Sequence, residues 1–154
     1  MLARIQSLYL FIAALLALSS MFFPFWYFVS ADSYALRDFG PLMEAGALHV
    51  AGLYLSSVLS PLTALLSIAA IFLYKNRALQ SKLILFLILL FLADILTGLL
   101  SAHFLNEYLS RSNEAVSHSP GEGLFVLLPE PLLFWLALGA VKKDEKIATA
   151  YRRL

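Results

Sequence analysis

The chain has 154 residues, of which 61% are hydrophobic and 14% charged, with a formal net charge of +1 and no cysteine. Soluble domains carry roughly 25% charged and about 45–50% apolar residues, so the composition excludes an ordinary soluble domain and points to a membrane protein. Disulfides, thiolate nucleophiles and cysteine metal sites are excluded, and no basic surplus offers itself to nucleic acid.

Four apolar runs cover residues 5–29, 50–74, 83–105 and 124–141. A membrane helix needs about 20 such residues, with a range of roughly 17–25. The expected fold is therefore all-α: one polytopic four-transmembrane-helix bundle over 1–154, with a cytoplasmic helical tail at 142–154. The first run follows Arg4 and passes through "MFFPFWYF" without a small-x-small cleavage site, so it reads as a retained span and not a signal peptide. Its aromatic cluster (Phe22, Phe23, Phe25, Trp26, Tyr27, Phe28) suits an interfacial belt better than a ligand pocket.

The loop at 30–49 holds a Gly40-Pro41 turn and then "LMEAGALHV", which reads as a short interfacial helix or the start of the second span. That span places Ser56, Ser60, Thr63 and Ser67 on one helical face, with Gly52 one turn away. Small and hydroxyl residues let helices approach and bond across an interface, so a packing seam is preferred to a polar path. Pro61 predicts a kink.

The short connection "KNRALQSK" makes the second and third spans an antiparallel hairpin. The third carries Asp94, followed on the same face by Thr97, Gly98 and Ser101. His103 is out of phase with Asp94 and reads as an interfacial histidine. The next loop, "NEYLSRSNEAVSHSPGEG", is polar, turn-rich and expected to be the most mobile part.

The fourth run contains "PEP", with Glu130 between Pro129 and Pro131. Mid-helix, the prolines free the carbonyls of Phe125 and Leu127 and kink the helix. In a first turn their missing amides cost nothing, and an acid suits the helix dipole. The kinked continuous helix is preferred, and a helix starting at Pro129 stays open. In the tail, Ile147, Tyr151 and Leu154 fall on one stripe, with basic residues around them suited to an anionic membrane surface.

All lysines and arginines except Arg37 and Arg111 lie before the first run, between the second and third, or after the fourth. The positive-inside rule then places both termini in the cytoplasm, in an inner membrane, with 30–49 and 106–123 outside. Asp94 and Glu130 each lie about 11 residues from the inner edge of their spans, roughly 16 Å into a ~30 Å core. An ionised acid at that depth costs at least ~2.5–3.5 kcal/mol. Neither has a basic residue at similar depth, so at least one is expected to be neutral at pH 7, to share a proton, or to meet a cation, water or a partner. The candidate intramembrane site is Asp94 and Glu130 with Thr97, Ser101, Ser60 and Thr63.

Three cytoplasmic-side segments carry a resemblance. "RIQSLYLFIAALL" (residues 4–16), "NRALQSKL" (76–83) and "AVKKDEKIATAYRRL" (140–154) resemble a small integral membrane family of Bacteroidota, a domain of unknown function (family 4293). The resemblance implies four spans, an inner-membrane location and no assigned activity. The family's Asn-Arg pair before the tail is replaced here by Leu138-Gly139, which shifts the inner boundary of the fourth span. No metal-ligand spacing joins His49, His103 and His118, and no hydroxyl stands in a His-acid constellation, so no enzyme, metal or cofactor is expected. The expected role is a non-catalytic accessory, assembly or scaffold subunit acting through helix contacts in the bilayer, as a homo-oligomer or within a larger complex. The alternative is an oligomeric proton- or cation-coupled transporter using Asp94 and Glu130.

Overall fold

In the computed structural model, which describes residues 5–30, 33–111 and 116–152, the first apolar run breaks in two. Helix α1 covers Ile5–Ser20 and stops. The Ser20 hydroxyl donates back to the Ala17 carbonyl at 2.9 Å, and Pro24, lacking an amide, cannot prolong a helix. The aromatic residues beyond it form strand β1, Trp26–Val29, as aromatic and β-branched side chains favour a pleated surface. β1 pairs antiparallel with β2, Ser33–Leu36, on one edge and with β3, Ser117–Pro120, on the other. The fold is thus mostly helical and not all-α, and the helix expected over 5–29 ends at Ser20. The physical reason is non-local. A strand of "WYFV" is completed by "SHSP" from 88 positions away, and neither segment alternates apolar and polar residues strongly enough to announce a strand.

A 3-10 turn at Met43–Ala45 leads through Gly46 into helix α2, Ala47–Phe72, which carries Pro61 in its interior. Helix α3 runs Arg77–Ser110, beyond the 83–105 run at both ends. The Asn76 side chain caps it by accepting the Leu79 amide at 3.1 Å. Helix α4, Glu122–Leu127, is followed by α5, Glu130–Arg152. At "PEP" the helix is interrupted at Leu128 and Pro129 only. Leu128 keeps helical backbone and its amide bonds Leu124, while the Leu133 amide bonds the Pro129 carbonyl. Glu130 and Pro131 therefore open α5, where a missing amide costs little. The segment expected to be most mobile includes 112–115, which lies outside the described residues, as do Leu154 and the Tyr151 side chain of the tail stripe.

α1 and α3 each pack against both α2 and α5, and the sheet sits at the end of the helices away from the chain termini. Three helical stretches, Ala47–Lys75, Arg77–Ser110 and Glu122–Thr149, are long and apolar enough to cross a membrane, while α1 is a shorter apolar helix. Besides an apolar core that includes Leu10, Leu53, Leu87 and Phe134, large apolar side chains also cover the surface: Leu65, Leu96 and Trp135 are 66%, 65% and 65% exposed. The interior holds Gln6, Ser56, Ser60, Thr63, Ser67, Gln80, Asp94 and Glu130, all buried. Large exposed apolar patches on helices of membrane-crossing length suggest a membrane protein.

Candidate functional site

The site begins with the contact between α2 and α3. A Cβ on Gly52 would lie 3.1 Å from the Thr97 carbonyl oxygen and 3.3 Å from the Ser101 Cβ, so glycine here lets the helices approach closely. One and two turns further along α2, Ser56 Oγ donates to Asp94 Oδ1 at 2.5 Å and Ser60 Oγ donates to Asp94 Oδ2 at 2.6 Å. Both carboxyl oxygens are thereby held, and Asp94 is only 3% exposed.

Glu130 opens α5 on the other side of the interior. It is 1% exposed, lies within electrostatic range of Asp94, and its Oε1 has no hydrogen-bond partner among the described residues. The start of a helix brings it there, because the break at Leu128–Pro129 lets α5 begin at that depth.

A third acid joins them. Asp38, in the turn after β2, is half-buried over the same end of the bundle. Phe39 beside it has φ 58°, a left-handed conformation that costs a non-glycine residue roughly 1–2 kcal/mol. That turn directs the Phe39 amide to Ser57 Oγ at 2.9 Å. The Ser57 hydroxyl donates to the Leu53 carbonyl at 2.8 Å, with Asp38 Oδ1 a more distant acceptor at 3.4 Å. Burial, then the charge of Asp94, pushes the Asp38 carboxyl up to about 6, against the hydrogen bond from Ser57. Between Asp38 and the Ser56 and Ser60 hydroxyls lies a cavity of about 10 Å³, bounded also by Ser20, Phe25 and Leu127. That is room for about one water. Among the described residues no lysine or arginine pairs with any of the three acids, and no group of three His, Cys, Asp or Glu is placed to hold a metal ion.

The other residues of the sequence-derived site divide. Ser60 and Asp94 are bonded together, and Thr63 is buried below them with no partner for its hydroxyl among the described residues. Thr97 turns its hydroxyl back to the Ala93 carbonyl at 2.9 Å. Ser101 belongs to a separate latch built on His49, which is fully buried. His49 Nε2 accepts the Leu42 amide at 3.2 Å, so Nδ1 carries the proton and faces the Ser101 carbonyl at 3.0 Å. Ser101 Oγ donates to the His49 carbonyl at 3.0 Å. This latch ties the loop before α2 to both α2 and α3. His103 and His118, with Trp26, Phe28 and Asn106, line a separate open hollow of about 180 Å³ between the sheet and α3.

Sequence reasoning missed Asp38, Ser57 and His49. Asp38 stands in a loop between apolar runs, where an acid is ordinarily solvated. Only the turn at Phe39 places it over the bundle, and no local residue pattern requires a left-handed phenylalanine.

The family described as Domain of unknown function (DUF4293) matches residues 2–154. No curated protein and no solved structure matches the chain significantly.

Proposed function

This chain belongs to that family of unknown function, and from its own geometry we propose that it is a four-span protein of a cytoplasmic membrane whose working element is a proton-binding site. Both termini face the cytoplasm, since the basic residues cluster at the terminal end of the helices. The sheet then caps the outer face, where its ladder bonds satisfy the backbone at the interface. α1 is the shortest span and is continued outward by the turn before β1.

One observation carries the reading: Asp94 and Glu130 are buried within electrostatic range of each other, with no basic partner among the described residues. Two uncompensated carboxylates in a membrane interior are too costly to coexist, so a proton on one of them is the stable state. Ser56 and Ser60 hold the Asp94 oxygens by donated hydrogen bonds, which suits a carboxylate. Glu130 has a free oxygen and no donor of this kind, which suits a carboxyl that takes up and gives up the proton. Asp38, half-buried on the sheet side, shares the small cavity with Ser56 and Ser60, the donors to Asp94, and lies within electrostatic range of Asp94. The cavity is too small for a hydrated cation and the three acids are not placed as metal ligands, which favours a proton over a cation.

Infrared titration of the protein in lipid nanodiscs tests this. A protonated-carboxyl band should titrate in the wild type, lose intensity in Glu130→Gln, and shift in Asp94→Asn. A carboxyl band that ignores both substitutions removes the site.

The accessory-subunit reading has its own support. β2 and β3 are both edge strands of the outer sheet, and β3 is exposed along its whole length. A free edge is a template for another chain. Gentle-detergent purification at native expression decides: a partner held through the sheet favours a subunit role, and a bare monomer disfavours it.

A further inference from the structure

The polar interior does not end at the acids. Beyond Ser60, α2 continues toward the termini with Thr63, Ser67 and the Ala70 carbonyl on the same face. Thr63 and Ser67 are 2% and 0% exposed, and neither hydroxyl has a hydrogen-bond partner among the described residues. At the terminal end Gln80, 0% exposed, donates through Nε2 to the Ala70 carbonyl at 2.9 Å, while its Oε1 has no partner. Gln6 on α1, 3% exposed, has an unpartnered Oε1 as well.

Some hydroxyls on these helices turn back to a carbonyl of the preceding turn, as Ser20, Ser57, Thr97, Ser110 and Thr149 do, and others, Ser56, Ser60 and Ser101, bond across to a neighbouring helix. Thr63 and Ser67 do neither, although the bond to the preceding turn is open to any helical serine or threonine. A packing seam would have no reason to leave them unpaired, because a buried polar atom without a partner is rare and costly. Their spacing supplies one. Successive polar groups along α2 are about one turn apart, roughly 5–6 Å, the distance one water bridges between two hydrogen-bonding groups.

We infer that the inner half of the bundle holds a single file of water running from the acid pair along Thr63 and Ser67 to Gln80 and Gln6, so that the proton site opens to both faces. The inference rests on the proton-binding reading and extends it from a site to a conducting path. The outer half is made of carboxyls and serines, with Asp38 at the mouth. The inner half contains no titratable side chain among the residues named, so protons cross it by hopping along water and not by residing on protein. Glu130 takes a proton from the Asp38 side and passes it to the first water of the file, which leaves a carboxylate that the next proton from the Asp38 side neutralises; under the opposite gradient each transfer runs in reverse.

The test pairs flux with titration in the same preparations. Proton flux into proteoliposomes, read by an entrapped pH dye under an imposed potential, should fall at least about tenfold in Thr63→Val and in Ser67→Val, a loss of one link in a rate-limiting chain. Thr63→Ser, which keeps the hydroxyl, should keep the flux. The infrared titration of the carboxyls should persist in all three. Water-edited solid-state NMR on the wild type should show water contact at Thr63 and Ser67. Flux unchanged by both valine variants, no flux in the wild type despite titrating carboxyls, or dry Thr63 and Ser67 would each overturn the file while leaving the proton site standing. A wild type whose carboxyls do not titrate overturns the site, and the file with it.

Discussion

Asp38 shows how one side chain can acquire a role that its neighbours in sequence do not announce. Its carboxyl sits near 6, against an ordinary value of 3.8, because burial and then Asp94 disfavour the charged form. The sign follows from linkage. Between the two values the folded protein holds more protons than the unfolded chain, so stability contributed by this group is largest at low pH and declines as pH rises through about 6. Thermal unfolding in detergent should therefore show a midpoint that falls between about pH 4 and pH 6.5, and Asp38→Asn should flatten that fall. An equal slope in wild type and variant would mean that Asp38 is solvated. Phe39 belongs to the same scale: its strained backbone is offset by the amide bond to Ser57 and persists because it places Asp38.

Helix contacts decide whether the acids meet their partners. The close approach of α2 and α3 at Gly52 precedes the Ser56 and Ser60 bonds by one and two turns, so the three act as one unit. Gly52→Val should push the helices apart, cost about 1–3 kcal/mol by overpacking, and release Asp94 from its hydroxyl donors. The check is a lowered unfolding midpoint together with a changed Asp94 carboxyl band; a variant with normal stability and spectrum would show that the seam has slack. At "PEP" the sequence allowed a kinked rod or a new helix start, and the structure combines them: a two-residue lapse in the ladder with Glu130 at the head of α5. The element that could not be foreseen is β1. Its aromatic run reads as the end of a membrane helix until β2 and β3 supply edges for it.

At the scale of the molecule, an apolar exterior surrounds an apolar core with a polar seam through it, and the basic residues collect at one end. The absence of cysteine makes the orientation easy to examine. Arg37→Cys, in the loop at the sheet end, should react with a membrane-impermeant maleimide in intact spheroplasts. Lys146→Cys, in the last turns of α5, should react only after permeabilisation. The opposite pattern would invert the topology, and with it the direction in which Asp38 faces. At the sheet end of the bundle, His49 and Ser101 also tie the loop before α2 to the helices.

The sequence by itself determined that the chain is mostly helical, with helices apolar and long enough to cross a membrane. Apolar runs long enough for a bilayer, and basic residues sorted to one side of them, are local and additive properties that need no partner to be read. It also singled out Asp94, Glu130, Ser60 and Thr63, because a charge or hydroxyl inside an apolar run is conspicuous wherever the run folds. Tertiary structure alone decided which of these groups meet. Ser56 and Ser60 reach Asp94 across an interface set by Gly52, Ser101 is taken by His49, Thr97 bonds its own helix, and Asp38 arrives from a loop turned by Phe39. Pairing between distant segments depends on backbone direction and helix separation, which composition and spacing do not encode.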